Sequence, residues 1–475
     1  MTVVSDAPLL VRLRSEVADG LALSASQDLA ADDKRELARS LALSRLAEHS
    51  AARVSSGLAP LAPDEEQQVA QWVLDALFGL GRLQALVDDP EVENIDVNGC
   101  DQVWVTYADG TKVQGPPAAA SDAELVEVVR SAAARLGLSE RRFDISTPEL
   151  DLRLPDGSRL SALMAVVARP ALSIRRHRMK DLVLDDLVAT GTLDQGIRSF
   201  LGAAVRARKN IVVAGAMNSG KTTLVRALAA EIPPHERVVT IEQAFELGLD
   251  AVPDRHPDLV ALEARPANTE GEGEVSMARL VRRALRMNAD RVIVGEVLGD
   301  EVLPMLNAMS QGRSGSMCTI HASSSAGVFR RLAAYAIQAP ERLPVEAANL
   351  LVAGAVHFVV FIDSVIEGPG IGSPGGAGDA PGDVRADARR GGAEGGLAEG
   401  ATEGPRCFPA LRRRRFVSSV REVLDAEGLQ VISNEVFRPG HDRRASVGAP
   451  FTTASIEELV AHGFDPDLVS SGWSW

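Results

Sequence analysis

A glycine-rich octapeptide constrains this chain more than any other feature. Residues Gly215-Ala216-Met217-Asn218-Ser219-Gly220-Lys221-Thr222 fit the pattern G-x-x-x-x-G-K-[ST]. The octapeptide follows the short apolar run 211–214 and precedes the helix-like run that begins at Thr223, so the strand and the helix that this pattern requires are both predicted. The sequence therefore predicts a tight loop that joins a buried strand to the N-terminus of a helix.

Such a loop is suited to holding phosphate groups. Glycines let backbone N–H groups curl around phosphate oxygens, and the helix N-terminus adds its partial positive charge. Lys221 would reach the β- and γ-phosphates, and the Thr222 hydroxyl would bind Mg²⁺. ATP with Mg²⁺ is thus the expected ligand. The predicted nucleotide-binding residues are Gly215, Ala216, Met217, Asn218, Ser219, Gly220, Lys221, Thr222 and Thr223.

A second acid is expected on a neighbouring strand. The run 291–295 is apolar after its first residue and ends in Glu296. A carboxylate at that strand end would face the phosphates, where it could orient the attacking water or complete the outer shell of the metal. Glu296 is therefore the predicted catalytic base. The alternative is an ordinary surface acid at a strand end.

The alternation of short apolar runs and helical segments between 181 and 365 predicts an α/β engine domain with a parallel sheet covered on both faces. Residues 64–180 mix helical periodicity with alternating strands and Asn-Gly or Asp-Gly turns, which predicts a separate α+β domain. Residues 1–63 are predicted to be a helical leader that is free to be mobile.

Beyond 365 the composition changes sharply. Residues 366–411 are dominated by Gly, Ala, Pro and acids without an apolar period, which predicts a disordered insertion. Strand-like alternation resumes at 412, so 412–475 is expected to return to the engine domain and end in a C-terminal tail.

Net charge, cysteine spacing and the length of apolar runs limit the partners and the compartment that we expect. The formal net charge is −15, which argues against a nucleic-acid partner unless basic residues cluster locally. The three cysteines form no Cys-x-x-Cys pair, which favours a reducing compartment. The start of the chain lacks a signal-peptide pattern, and the apolar run 349–362 is shorter than the roughly 20 residues that span a membrane. We expect no direct membrane span.

Five further stretches carry a family resemblance: DPEVENIDVNG (89–99), ELDLRLPDGSRLSAL (149–163), VVTIEQAFEL (238–247), the segment from Leu262 to Val297, and QGRSGSMCTIHASS (311–324). With the glycine-rich loop, they resemble the ATPases of type II and type IV secretion machines, and most closely the branch that powers tight-adherence (Flp) pilus assembly. The resemblance covers about 64–365 and resumes at 412–438. It implies a RecA-like P-loop NTPase domain behind the N-terminal α+β domain.

The resemblance also implies roles for single residues. Glu242 and Glu246 fall in the family's acidic box, which helps to hold the metal and the attacking water, and His321 falls in the His box, which senses the γ-phosphate. The predicted catalytic set is Lys221, Glu242, Glu296 and His321, and the predicted metal set is Thr222, Glu242, Glu246 and Glu296. Solvated loop acids and a structural histidine are the alternatives.

Four arginines are implied to act on the nucleotide. Arg159 and Arg175 match N-terminal-domain arginines that close over the phosphates, and Arg265 and Arg286 match basic positions of the engine domain. Arginines from a second domain would make hydrolysis depend on domain closure, because phosphoryl transfer is accelerated mainly by positioned positive charge. Salt-bridged surface arginines are the alternative for all four.

The sequence departs from the family pattern at three places. Gln243 replaces the second acid of the acidic box, Leu298 replaces an arginine, and Arg313 replaces the histidine of a Gly-His pair. These departures predict slower turnover or turnover tuned by a partner.

The leading hypothesis is a homo-oligomer, expected to be a hexamer, at the cytoplasmic face of the membrane, where integral-membrane platform proteins of a secretion or pilus system would be its partners. A nucleic-acid-translocating motor is the second hypothesis, for which the runs 412–415 and 175–178 would supply basic patches; a solvated face or a phosphate contact is their other interpretation. A nucleotide-binding scaffold with weak turnover is the third.

Overall fold

The computed structural model describes residues 7–24, 30–136, 142–176, 181–265, 267, 271–310, 314–367, 407–408 and 412–469. Nearly all of the predicted insertion at 366–411 lies outside the described residues, as do the first residues of the leader and the end of the tail. So does the departure at Arg313.

Three helices open the chain: α1 (Ala7–Ser24), α2 (Ala31–Ser55) and α3 (Pro63–Phe78). Apolar side chains from all three, including Leu13, Leu46 and Val73, are buried against each other in a core of their own. Proline at the first position of α3 fits the helix start, and Glu65 accepts a hydrogen bond from the Ala62 N–H there. The leader therefore extends as a three-helix bundle across the predicted boundary at residue 64.

The next unit is a seven-stranded antiparallel sheet with strand order β13-β3-β2-β1-β6-β5-β4. Its elements are α4 (Gln84–Asp88), β1 (Val92–Asn98), β2 (Val103–Tyr107), β3 (Lys112–Gln114), α5 (Asp122–Arg135), β4 (Glu149–Arg153), β5 (Arg159–Leu163) and β6 (Ala171–Arg175), with β13 (Cys407–Phe408) added much later in the chain. Alternating burial along β4, β5 and β6 shows one face packed and one face open, as in an antiparallel sheet with one covered side.

The larger unit contains a nine-stranded sheet with strand order β16-β15-β14-β12-β7-β11-β10-β8-β9. Its strands are β7 (Ile211–Gly215), β8 (Val238–Glu242), β9 (Leu259–Glu263), β10 (Arg291–Val297), β11 (Met317–His321), β12 (Phe358–Glu367), β14 (Arg412–Glu427), β15 (Gln430–Pro439) and β16 (Ala445–Val447). Strands β12 to β9 are parallel, and β14 to β16 extend the sheet in antiparallel fashion.

Helices cover both faces of this sheet: α6 (Leu184–Ala189), α7 (Gln195–Arg206), α8 (Lys221–Ala229), α9 (Met277–Ala284), α10 (Val302–Ser310), α11 (Gly327–Gln338), α12 (Val345–Ala355) and α13 (Thr453–Ala461). Every residue of β7 and β8 is buried, because a central parallel strand has no face to water. The predicted α/β class, with a RecA-like sheet behind an α+β unit, is confirmed.

Two cores lie on the two faces of the large sheet. One is centred on Phe200 of α7, which contacts Phe358, Phe437, Phe451 and Phe464 at centroid distances of 5.0 to 6.3 Å. Aromatic pairs in these edge and tilted arrangements add stability beyond their buried area. Because three of these four rings, Phe437, Phe451 and Phe464, follow residue 412, the last part of the chain completes the core of the large unit.

No helix among the described residues is long and apolar enough to cross a membrane. The apolar run 349–362 divides between α12 and β12, so it forms the end of one helix and the start of a strand rather than one long helix.

Candidate nucleotide site

The glycine-rich loop joins β7 to α8 at the edge where the parallel strands end. Asn218 and Gly220 have φ values of +58° and +99°, which place the loop backbone in the left-handed region. A Cβ atom on Gly215 would lie 2.4 Å from the Ile362 carbonyl oxygen, so no larger residue fits there. The loop therefore forms a backbone cradle of the kind that binds phosphate oxygens.

Lys221 is the first residue of α8 and points into this cradle. Its side chain is almost buried, with 7% exposed, and its Nζ donates to the Ala216 carbonyl at 3.0 Å. Burial lowers the pKa of Lys221, while the charges of Glu296 and Glu246 raise it. The ammonium is thus held beside two acids, in a place where a polyphosphate could take over its hydrogen bonds.

His321 and Glu296 lie next to Lys221. The His321 Nδ1 is 3.1 Å from the Lys221 Nζ, and the His321 Nε2 is 2.6 Å from the Glu296 Oε1. The histidine–carboxylate contact has ion-pair distance without hydrogen-bond alignment. The three predicted residues therefore form one continuous row along the ends of β7, β11 and β10.

The strand pairing explains how Glu296 leaves the sheet. The register of β10 against β11 shifts between Val294 and Val297. The Thr319 hydroxyl donates to the Gly295 carbonyl at 2.6 Å and fixes the strand on one side of that irregularity. As a result the Glu296 carboxylate is about one-third exposed at the cleft rather than buried between strands.

Glu242 ends β8 and is buried, with 3% exposed. Its Oε1 accepts hydrogen bonds from the backbone N–H groups of Glu246 and Leu247, at 2.9 and 2.7 Å. Burial raises the pKa of Glu242 to about 7, although these two hydrogen bonds and Arg226 act in the opposite direction. Glu242 therefore shapes the acidic-box loop from inside, and Glu246 presents its carboxylate to the cleft.

Two of the three positions that depart from the family pattern lie among the described residues. Gln243 and Leu298 are both exposed. The chain at Leu298 is fixed by the buried Glu301, which accepts hydrogen bonds from the N–H groups of Leu298 and Gly299. The loop after Glu296 is thus held by an acid that the sequence analysis did not single out.

Arg159 and Arg175 of the α+β unit lie at this cleft. Arg159 Nη1 is 3.8 Å from the Glu246 Oε1, and Arg159 pairs with Arg175 across β5 and β6. The positive charge of Arg175 lowers the pKa of Lys221. Both arginines are therefore close enough to act on a nucleotide in the loop.

Arg265 and Arg286 lie elsewhere. Arg265 follows β9 at the far edge of the sheet, where its Nε donates to the Gly273 carbonyl at 2.8 Å. Arg286 is exposed just after α9. In the described part of the chain, no hydrogen bond or ion pair joins either arginine to the glycine-rich loop, so the structure does not bring these two predicted residues to the cradle.

A metal would have to share its shell with the nucleotide. Among the described residues there is no group of three or more His, Cys, Asp and Glu side chains able to hold a metal ion alone. The Thr222 hydroxyl at the start of α8 and the cleft carboxylates of Glu246 and Glu296 are oxygen donors of the kind that Mg²⁺ binds together with phosphate and water oxygens. The predicted donor Glu242 instead uses its Oε1 for the N–H groups of its own loop. The cradle and these hard oxygen donors are what a Mg²⁺–nucleotide complex requires.

The sequence analysis missed several residues of this region. Arg226 donates to the Glu246 carbonyl from inside α8, and Arg413 and Arg415 of β14 both donate to the Asn218 carbonyl, at 3.4 and 3.2 Å. The arginine run 412–415 was visible as a basic patch, but its place beside the loop depends on the pairing of β14 with β12.

The sequence profile described as "Type II/IV secretion system protein" matches residues 78–360. The chain is 33% identical over 328 residues to the type IV secretion system protein PtlH of Bordetella pertussis, which covers 64% of this chain and 92% of the relative. It is 31% identical over 290 residues to the conjugal transfer protein TrbB of Rhizobium radiobacter, and this match covers 59% of this chain and 82% of the relative.

The crystal structure of the VirB11 ATPase from the Brucella suis type IV secretion system, in complex with sulphate, is 27% identical, covers 59% of this chain and 90% of that chain, and superposes with a TM-score of 0.31. The finer resemblance to the tight-adherence branch stays a prediction.

Proposed function

We propose that this chain, which belongs to the type II/IV secretion system protein family, hydrolyses ATP to drive a secretion or pilus-assembly machine. The observation that carries the proposal is the row Lys221–His321–Glu296 at the mouth of the phosphate cradle. A cation, a histidine and a carboxylate in contact beside a P-loop provide what phosphoryl transfer to water requires: charge on the leaving side and an acceptor for the water proton.

Each group has a role that follows from its position. Lys221 would exchange its bond to the Ala216 carbonyl for β- and γ-phosphate oxygens. Glu296 would orient a water towards the γ-phosphorus and accept its proton as the bond from the γ-phosphorus to the bridging oxygen breaks, giving ADP and phosphate. His321 contacts both side chains and would report the presence of the γ-phosphate to them. Mg²⁺, when bound, would neutralise phosphate charge beside Thr222.

Arg159, which lies beside Glu246, and Arg175 would couple the bound nucleotide to movement of the α+β unit. Arg159 and Arg175 belong to the α+β unit, whereas the cradle belongs to the large sheet. Phosphates bound in the cradle would attract both arginines, and loss of the γ-phosphate would weaken that attraction. We propose that ATP binding and hydrolysis thereby close and open the two units. Arg265 and Arg286, at the far edge, would act across subunits of a hexamer.

The partners and the location belong to the same proposal. We infer peripheral attachment to integral-membrane platform proteins at the cytoplasmic face of the membrane. PtlH, which is named as a type IV secretion system protein, supports partners of that kind.

The test compares hydrolysis by the purified wild type with Lys221→Ala and Glu296→Gln, at saturating ATP and Mg²⁺, with light-scattering mass measured with and without nucleotide. Glu457→Gln, an exposed acid on α13, is the matched charge control. Hydrolysis by wild type and control, its loss in both site variants, and a mass near six subunits are the expected results. Nucleotide binding without any turnover would replace this proposal with a scaffold function.

A nucleic-acid motor is the second candidate, favoured by the relative that is named as a conjugal transfer protein. The net charge of −15 opposes it, and two arginines of the run 412–415, Arg413 and Arg415, donate to the Asn218 carbonyl of the cradle. A gel-shift titration with single- and double-stranded DNA at 150 mM salt separates the two functions. Retained binding at that salt would favour the motor, since weak charge contacts are lost there.

A further inference from the structure

Two arginines approach the phosphate cradle from the side away from Glu296. In the sheet order, β12 and β14 lie on one side of β7, while β11 and β10 carry His321 and Glu296 on the other side. Strand β14 pairs with β12 so that Arg415 lies opposite Ser364 and Arg413 opposite Ile366, beyond the level at which Ile362 pairs with Gly215. The start of β14 therefore extends past the end of β7 to the height of the loop.

Side-chain alternation gives this end of the strand two different faces. Residues two apart on a strand share a face, so Arg413 and Arg415 point the same way and Arg414 points the opposite way. Both Arg415 Nε and Arg413 Nη1 donate to the Asn218 carbonyl. A Cβ atom on Gly220 would lie 3.1 Å from the Arg415 Cδ. The Arg415 stem thus lies directly on the loop.

The charge around Arg415 is unbalanced. Burial lowers the pKa of Arg415; Glu93 acts in the opposite direction, and Arg413 and Arg175 lower it further. Arg175 also acts on Lys221. Three guanidiniums, those of Arg415, Arg413 and Arg175, therefore lie near one another on this side of the loop, and among the described residues Glu93 is the carboxylate that acts on Arg415. A guanidinium makes stronger, charge-assisted hydrogen bonds to phosphate oxygens than to a neutral carbonyl.

The geometry points to Arg415, assisted by Arg413, as a further nucleotide-binding residue, which contacts the phosphates nearer the nucleoside rather than the γ-phosphate. This inference rests on the proposed ATP site. On binding, the two guanidiniums would exchange the Asn218 carbonyl for phosphate oxygens held by the loop. His321 and Glu296, which act on the γ-phosphate in the proposed site, lie on the other side of β7. Arg413 and Arg415 should therefore contribute equally to the binding of ATP and of ADP.

The test measures the Kd of ATP and of ADP, each with Mg²⁺, by titration calorimetry, together with steady-state hydrolysis. Arg415→Gln should raise both Kd values about 10-fold, which is the size of one charge-assisted hydrogen bond, and change kcat less than about twofold. Arg413→Gln, at an exposed position, should raise both about threefold. Arg414→Gln, on the other face of the strand, is the matched control and should change neither.

Several outcomes would overturn the inference. Unchanged Kd values in both Arg415→Gln and Arg413→Gln would do so, as would a fall in kcat at unchanged Kd, which would mean action at the γ-phosphate. Thermal unfolding checks that Arg415→Gln is folded, and Arg413→Gln decides the matter if it is not. A wild type that binds no nucleotide removes the proposed function and this inference together, whereas a wild type that binds as well as its variants removes the inference alone.

Discussion

Glu242→Gln should make the protein more stable at alkaline pH. The carboxylate of Glu242 is buried, and its hydrogen bonds to the N–H groups of Glu246 and Leu247 use only an acceptor oxygen. A glutamine Oε1 can accept the same two bonds without a charge. The substitution therefore removes the cost of burying a carboxylate and keeps the loop geometry.

The magnitude follows from the pKa. Burial raises the pKa of Glu242 from an ordinary value of 4.5 to about 7. Between these two values the folded state holds a proton that the unfolded state has released, so the stabilisation is fully present below pH 4.5 and is lost as pH rises through 7. At about 1.4 kcal/mol per unit, the wild type should lose about 2–3 kcal/mol between pH 5 and pH 8 relative to Glu242→Gln.

Urea unfolding of wild type and variant without nucleotide, at pH 5, 6, 7 and 8, measures this difference. Subtracting the two curves cancels every titrating group that the two proteins share. Glu457→Gln, which removes the same charge from an exposed site, should give a flat difference. A flat difference for Glu242→Gln as well would show that Glu242 titrates normally and would refute the reasoning.

Three other predictions address the row at the cradle, the core and the thiols. His321→Gln should lower kcat about 100-fold with KM changed less than threefold in steady-state assays, because it touches the reacting side only; a purely raised KM would contradict this. Glu236→Gln should lower the free energy of unfolding by about 3 kcal/mol in urea titration, because it leaves the wholly buried Arg291 without its ion pair; a change near zero would contradict it. Cys318, wholly buried with its thiol pKa raised, should resist a thiol reagent until urea unfolds the chain, whereas the part-exposed Cys100 reacts slowly beforehand; early labelling of Cys318 would contradict this.

The cradle was readable from sequence because its geometry is local. A strand, a glycine-rich turn and a helix N-terminus follow each other within a dozen residues, so the positions of Gly215 and Lys221 require no long-range contact. Glu296 was readable for a related reason, since the ends of parallel strands meet at one edge. The parallel α/β class followed from runs such as 211–215, which are apolar throughout.

The remaining features depend on long-range pairing. Two carbonyl contacts to Asn218 come from a strand that begins almost 200 residues later, and nothing in the run 412–415 specifies β12 as its neighbour. The inward turn of Glu242 was also invisible, because a side chain that binds the N–H groups of its own loop looks in sequence like any other acid. Packing of α3 with α1 and α2 likewise depends on contacts that periodicity alone does not assign.

The two sides of the cradle imply a division of work that is testable as a whole. His321 and Glu296, at the ends of β11 and β10, touch the reacting phosphate in the proposed site, whereas Arg413 and Arg415 come from β14 on the other side of β7. Groups of the first kind act only as charge develops in the transition state, so their loss lowers kcat. Groups of the second kind bind ATP and ADP alike, so their loss raises Kd. Turnover at saturating ATP should therefore stay within about twofold of the wild type after Arg415→Gln, and a larger fall would place Arg415 with the reacting groups.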